Sequence, residues 1–112
     1  MGNLFGPLAG WHLMDREQIV AKLREHEPEL KAAGVEHLLL HGSYARGTAV
    51  REVSDVDVIA DFGRAKKLSL LGRVHLENRL SDILGAKADL SDREMLLPEV
   101  RERAKRESIL VF

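Results

Sequence analysis

Three aspartates and one glycine-serine pair are the places in this 112-residue sequence where side-chain type and spacing point to chemistry. Asp55 and Asp57 stand two positions apart in DVDVIADF, residues 55–62, a stretch that alternates with the period of a β-strand. Val56, Val58, Ala60 and Phe62 then share one face, and Asp55, Asp57, Ile59 and Asp61 share the other. Two like charges so placed repel and raise one pKa, a poor arrangement for stability that a divalent cation resolves. Upstream, Gly42 and Ser43 combine a residue without a Cβ and one with a small hydroxyl, so that backbone N–H groups and one O–H can face a phosphate closely. A third carboxylate, Asp89 in the short stretch KADL (87–90), reaches the same face if KADL is a strand beside DVDV. Oxygen ligands without Cys or clustered His favour a hard cation such as Mg²⁺ or Mn²⁺, and three carboxylates on one face suit two-metal phosphoryl or nucleotidyl transfer.

Each feature also has a plainer reading. An isolated D-x-D is equally a solvated strand end, a Gly-Ser turn is often only a turn, and spacing alone does not make KADL the neighbour of DVDV. Arg46 presents a rigid fork suited to a phosphate or an interface, or else forms a salt bridge with a nearby acid. His41 borders the glycine-serine turn and reads as a packed imidazole before a catalytic base, while His12, His26, His37 and His75 share no motif spacing. Asp61 is farther along the acidic face and reads as a solvent or capping residue. Thr48 and Ser54 read as turn-shaping residues, and Tyr44 stays open between stacking on a base, contacting a partner and being modified. The charged segment from Arg101 to Glu107 reads as a solvated helix face or part of a partner surface.

The elements that must position these residues follow from periodicity. Asp15 is placed to cap a helix bearing Ile19, Val20, Leu23 and Leu30, with Pro28 kinking or restarting it and Gly34 ending it. VEHLLLH, from Val35 to His41, suits a buried strand, and the segment from Gly42 to Ser54 is rich in turn residues. After DVDVIADF, the residues Leu68, Leu71, His75, Leu76, Leu80, Ile83 and Leu84 mark an amphipathic helix, with Gly85 as its C-cap. A short turn of helix, a helix starting near Pro98 and an apolar tail complete an order of α-β-β-α-β-α. The expected fold is α+β, a small three- or four-stranded mixed sheet with helices packed on one face.

Composition narrows the functions. With 17 Lys plus Arg against 18 Asp plus Glu, the net charge of −1 makes direct nucleic-acid binding a poor expectation. Zero Cys excludes a disulfide, a thiolate metal site and a cysteine nucleophile. No apolar run approaches the roughly 20 residues of a membrane span, and the reading is cytoplasmic. Residues 1–14 lack the pattern of a secretion signal and are expected to be a flexible or loosely packed arm, with Trp11 in a packing role. Residues 15–112 are expected to form a single domain.

The stretch HGSYARGTAVREVSDVDVIADF, from His41 to Phe62, together with KADL, resembles the minimal nucleotidyltransferases of the DNA polymerase beta-like superfamily. These are the small proteins often found as the antitoxin paired with a HEPN-domain toxin. The resemblance covers most of Asp15 to Phe112, and its most specific part is the offset of 12 residues from Ser43 to Asp55. His41 stands where members usually carry Phe or Tyr. The resemblance implies a polymerase-beta-like core in which Asp55, Asp57 and Asp89 are catalytic and hold two Mg²⁺ ions. It further implies that Gly42 and Ser43 position the β and γ phosphates of ATP, and that AMP passes to a hydroxyl, a tyrosine of a HEPN toxin, with release of pyrophosphate. Homo- or hetero-oligomers fit such a protein. A binding module that masks its partner stoichiometrically, and transfer to a small molecule, are the alternatives.

Overall fold

A computed structural model describes residues 15–47, 55–63 and 68–112. Its first helix starts where Asp15 caps it. The Asp15 carboxylate accepts from Gln18 N at 2.9 Å, and the Gln18 side chain accepts from Asp15 N at 2.9 Å, a reciprocal box that satisfies two orphan donors. Helix α1 spans Arg16–Glu25 and buries Ile19, Val20 and Leu23. Pro28 sits in the first turn of a separate short helix, α2 (Glu27–Ala32), where its missing N–H costs nothing. Strand β1 (His37–His41) leads directly into α3 (Gly42–Arg46), then come β2 (Val56–Asp61), α4 (Leu70–Leu84) and β3 (Ala88–Asp92). One 3-10 turn (Arg93–Met95), helix α5 (Pro98–Glu107) and β4 (Ile109–Leu110) close the described chain.

The sheet order is β3-β2-β1-β4, with β1 antiparallel to β2 and β4, and β2 parallel to β3. The parallel pair needs a crossover, and α4 supplies it. Leu38, Leu40, Val58, Ala60 and Leu90 point to one face and form a core with Ile19 and Leu23 of α1, Leu30 of α2, and Leu76 and Leu80 of α4. Leu71, expected in that stripe, is exposed. Five residues from Leu76 at roughly 100° per residue, it is more than a third of a turn off the buried face.

Two elements depart from the sequence reading. The glycine-serine segment opens as helix α3 rather than as a turn, too short for periodicity to reveal, and the apolar tail becomes β4. Helix α5 also departs from the expected packing of the helices on one face, which α1, α2 and α4 follow. Its Ala104 lines a cavity with Leu39 and Ile59, which alternate away from the main core, so α5 lies over the second face. Ala104 is its one buried residue, too little apolar surface to join the main core.

The outer edge of β3 is shielded by α4. Leu90 N donates to Glu77 Oε2 at 2.8 Å and Ala88 N to Ser81 Oγ at 3.0 Å, so a free ladder edge is satisfied by side chains. Glu77→Ala removes the acceptor for Leu90 N and is expected to cost about 1–2 kcal/mol, read as a lower urea midpoint at unchanged slope. An unchanged midpoint would show that water replaces the carboxylate at that edge without penalty.

Candidate active site

The register of the sheet places the chemistry. His41 of β1 is the partner of Asp57 in β2, and Asp57 is the partner of Asp89 in β3. Partners share a face, so these three side chains form a row across three strands spaced about 4.8 Å apart. The row lies on the face away from the main core. Val56 and Val58 on either side of Asp57 are buried, which fixes the half-buried carboxyl to that face. Asp89 is exposed, and so is Asp55, one residue ahead of β2. Asp55 Oδ2 is 3.9 Å from Lys87 Nζ, held there because Val56 N donates to Lys87 O at 2.9 Å.

The structure thus supplies the adjacency that spacing left open: KADL lies beside DVDV, in register. Its electrostatic consequence falls on Asp57. Burial raises its pKa above the usual 3.8, the charge on Asp89 raises it further, His41 lowers it, Asp55 raises it and Arg46 lowers it. Carboxylates arranged to destabilise one another's charge are a common mark of a functional site.

Gly42 is bound to this arrangement by shape. Its φ is +76°, and a Cβ built on it would overlap Asp57 Oδ2 and lie 3.1 Å from Asp57 Cγ. Position 42 therefore needs glycine for its backbone and for the room it leaves at Asp57. Ser43 follows in the first turn of α3 and is half-buried. Arg46 ends the same helix, and Gly47 with φ +77° caps it. Arg46 Nη1 stands 3.8 Å from Glu107 Oε1, an exposed pair of small energetic weight that leaves the guanidinium within electrostatic reach of Asp57.

Other residues resolve as the sequence suggested. Asp61 accepts from Gly63 N at 3.1 Å and pairs with Arg93 Nη1 at 3.4 Å, the role of a capping acid. His26 Nδ1 is 3.0 Å from Lys22 O. Tyr44 instead packs half-buried against the core, a role outside the three that the sequence left open. His41 is packed as well, its Nδ1 2.9 Å from Ser108 Oγ. That contact spans 67 residues of sequence, and together with Glu107 it ties the end of α5 to the site. Neither Glu107 nor Ser108 carries a sequence signal, because a lone acid and a lone serine beyond a helix match no motif. Thr48, Ser54, Trp11 and the arm of residues 1–14 lie outside the described residues.

Among the described residues, no three carboxylate or imidazole groups already converge as a metal cage. The donor set still suits Mg²⁺, which binds one or two carboxylates and completes its shell with water and substrate phosphates. Asp57, whose negative charge is disfavoured by burial and by the neighbouring acids, is a group that a cation would relieve.

A model of the nucleotidyltransferase domain matches residues 17–111, most of the chain and all of the row just described. The chain belongs to the nucleotidyltransferase domain family. Its relatives include the protein adenylyltransferase MntA of Thermococcus cleftensis, 35% identical over 100 residues that cover 88% of this chain and 98% of that one. A solved structure described as a minimal nucleotidyltransferase shares 35% identity, with a TM-score of 0.70 over 87% of this chain and 96% of the other. The same fold recurs at 20% identity and a TM-score of 0.55 in a complex of an MNT antitoxin with a tri-AMPylated HEPN toxin from Shewanella oneidensis. That match covers 87% of this chain and 68% of the other. The mixed sheet of three or four strands expected from the sequence has four in this nucleotidyltransferase.

Proposed function

We propose that this nucleotidyltransferase transfers AMP from ATP to a hydroxyl of a partner protein, a tyrosine of a HEPN-domain toxin, and thereby acts as an antitoxin. The observation that carries the reading is the in-register row of Asp57 and Asp89 beside a glycine whose nearest crowding atoms are those of Asp57. The protein acceptor rests on the adenylyltransferase relative and on the HEPN toxin complex that shares the fold.

In this reading Asp55, Asp57 and Asp89 hold two Mg²⁺ ions, which when bound supply charge neutralisation at the phosphates and lower the pKa of the acceptor hydroxyl. Gly42 and Ser43 receive the β and γ phosphates, with Arg46 at the far end of the same helix available to a phosphate oxygen. The acceptor oxygen attacks the α phosphorus, the bond to the bridging oxygen breaks, and pyrophosphate leaves with its electrons. Asp89, the exposed member of the row, takes the proton lost by the hydroxyl. His41 holds its place through Ser108. Among the described residues no helix is long and apolar enough to cross a membrane. Use of ATP supports a cytoplasmic setting for the proposed reaction.

The test is transfer of α-phosphate label from ATP into proteins of the source-cell lysate with Mg²⁺, beside a γ-labelled control and the Asp55/Asp57 double alanine variant. A discrete protein labelled only from the α position and only by wild type is the expected result. Toxin neutralisation by the double variant at equal stoichiometry, without labelling, would assign antitoxin action to masking instead.

A further inference from the structure

On the same sheet face as the acidic row, but toward its other end, α5 and the strands enclose a cavity of about 300 Å³. Leu39, Ile59, Leu96 and Leu110 make its surface apolar, and Arg101 and Lys105 of α5 stand at its wall. The apolar surface continues outward, where Met95, Leu97 and Leu110 are 73%, 64% and 55% exposed. Isolated exposed apolar residues need no explanation, but Leu110 lines the cavity itself and Met95 and Leu97 flank its lining residue Leu96 in the chain, an apolar concentration of the kind that binds another molecule.

The cations indicate what that molecule carries. Arg93 is already paired with Asp61. Arg101 is not paired: among the described residues no carboxylate meets it, its Nη2 reaches the carbonyls of Glu94 and Leu96 at 3.2 and 3.3 Å, and its Nε is buried without a hydrogen-bond partner. A half-buried guanidinium with an unsatisfied donor calls for an anion. Among the described residues Lys105 reaches only Glu102, at 3.4 Å in an exposed pair.

We infer that this groove docks an acidic amphipathic segment of the acceptor protein, an apolar side chain entering the cavity with a flanking carboxylate on Arg101 and Lys105. This rests on the protein-acceptor reading above and extends it to where the acceptor is held. The placement suits the task. Ile59, in the cavity surface, is two residues from Asp57 on the same face of the same strand, about 7 Å away. The wall helix ends in Glu107 and is followed by Ser108, the two residues that bond to Arg46 and His41 at the site. A segment seated in the groove therefore runs on toward the acidic row.

The experiment is fluorescence anisotropy of the full chain with a short fluorescein-labelled peptide carrying a central Leu-Phe pair between Glu and Asp residues. Two control peptides replace the apolar pair by Ser or the acids by Lys. Binding of the first peptide alone, weakened roughly tenfold by Lys105→Glu and by Leu110→Ser, is the expected result. Both substituted residues are exposed, so folding is preserved, and ATP affinity measured by calorimetry stays at the wild-type value. Absence of binding, equal binding of the control peptides, or indifference to both variants would overturn the proposal. Self-association abolished by Leu110→Ser, without peptide binding, would overturn it in favour of a second copy of this chain. The α-label assay with the acidic-row variant is independent of these outcomes, so failure of the docking site and failure of the transfer reading are told apart.

Discussion

Asp57→Asn is expected to reduce nucleotidyl transfer by about 10³-fold or more while leaving the protein folded and slightly more stable than wild type. The loss follows from position: Asp57 is the middle of the row, in register with Asp89 and against Gly42, and asparagine keeps the shape without the charge. Removing a group that supports a metal ligand costs about 10–10²-fold and removing an oxyanion donor about 10²–10³-fold, so loss of the carboxylate proposed as the central ligand is expected at the upper end or beyond. The gain in stability follows from the sign of the pKa shift. Folding raises this carboxyl above its ordinary 3.8, so the folded state binds the proton more tightly than the unfolded state does. Stability contributed by Asp57 is then present when the group is protonated and falls as pH rises from about the unfolded value through the folded one. At neutral pH the charged group is a burden that asparagine lifts. The expected rise in Tm is about 1–4 °C, the effect of a few tenths of a kcal/mol in a domain this small, since solvent screens the half-exposed carboxyl. Added Mg²⁺ should raise the Tm of wild type and leave that of the variant nearly unchanged. A variant less stable than wild type at neutral pH would show that Asp57 holds the fold together, contrary to the electrostatic reading.

Much of this site was legible before the fold, and the reason is local. Alternation in DVDVIADF determines which face Asp55 and Asp57 share, because a strand repeats every two residues and the buried Val56, Val58 and Ala60 leave no alternative register. Asp15, Pro28, Gly85 and Pro98 marked helix boundaries through backbone chemistry that acts within one turn. What stayed illegible is long-range. That Asp89 meets Asp57 depends on α4 carrying the chain back beside β2, and that Ser108 meets His41 depends on β4 pairing with β1. The two-residue β4 shows no alternation to read; its place comes from pairing with β1, with Arg24 of α1 donating to Val111 O at 2.7 Å beside it. The docking groove is of the same kind, since its residues come from three strands, the 3-10 turn and the residue after it, and helix α5, and share no motif.

Gly42→Ala is expected to cost transfer on the order of 10²-fold or more, and Gly47→Ala almost nothing, although the two glycines bear the same backbone burden. Their φ values are +76° and +77°, a region in which an alanine costs roughly 1–2 kcal/mol. At Gly47 a Cβ meets nothing within 4 Å, so strain is the whole effect. At Gly42 the Cβ overlaps Asp57 Oδ2, and the contact reaches back to Cβ of Asp57 at 3.2 Å, so the carboxylate cannot escape by rotation about its last bond alone. Either Asp57 turns away from the row or β1 and β2 separate where His41 and Asp57 pair. Both outcomes misplace the central carboxylate, and a displacement near 1 Å is enough to cost about 10²-fold in a positioned reaction. The pair of variants separates two explanations that either one alone would confuse. Similar denaturation midpoints with divergent transfer rates would show that Gly42 serves the room around Asp57. Equal losses of activity would show that strain anywhere in α3 disables the site, and the close approach of Gly42 to Asp57 would then have no special part in catalysis.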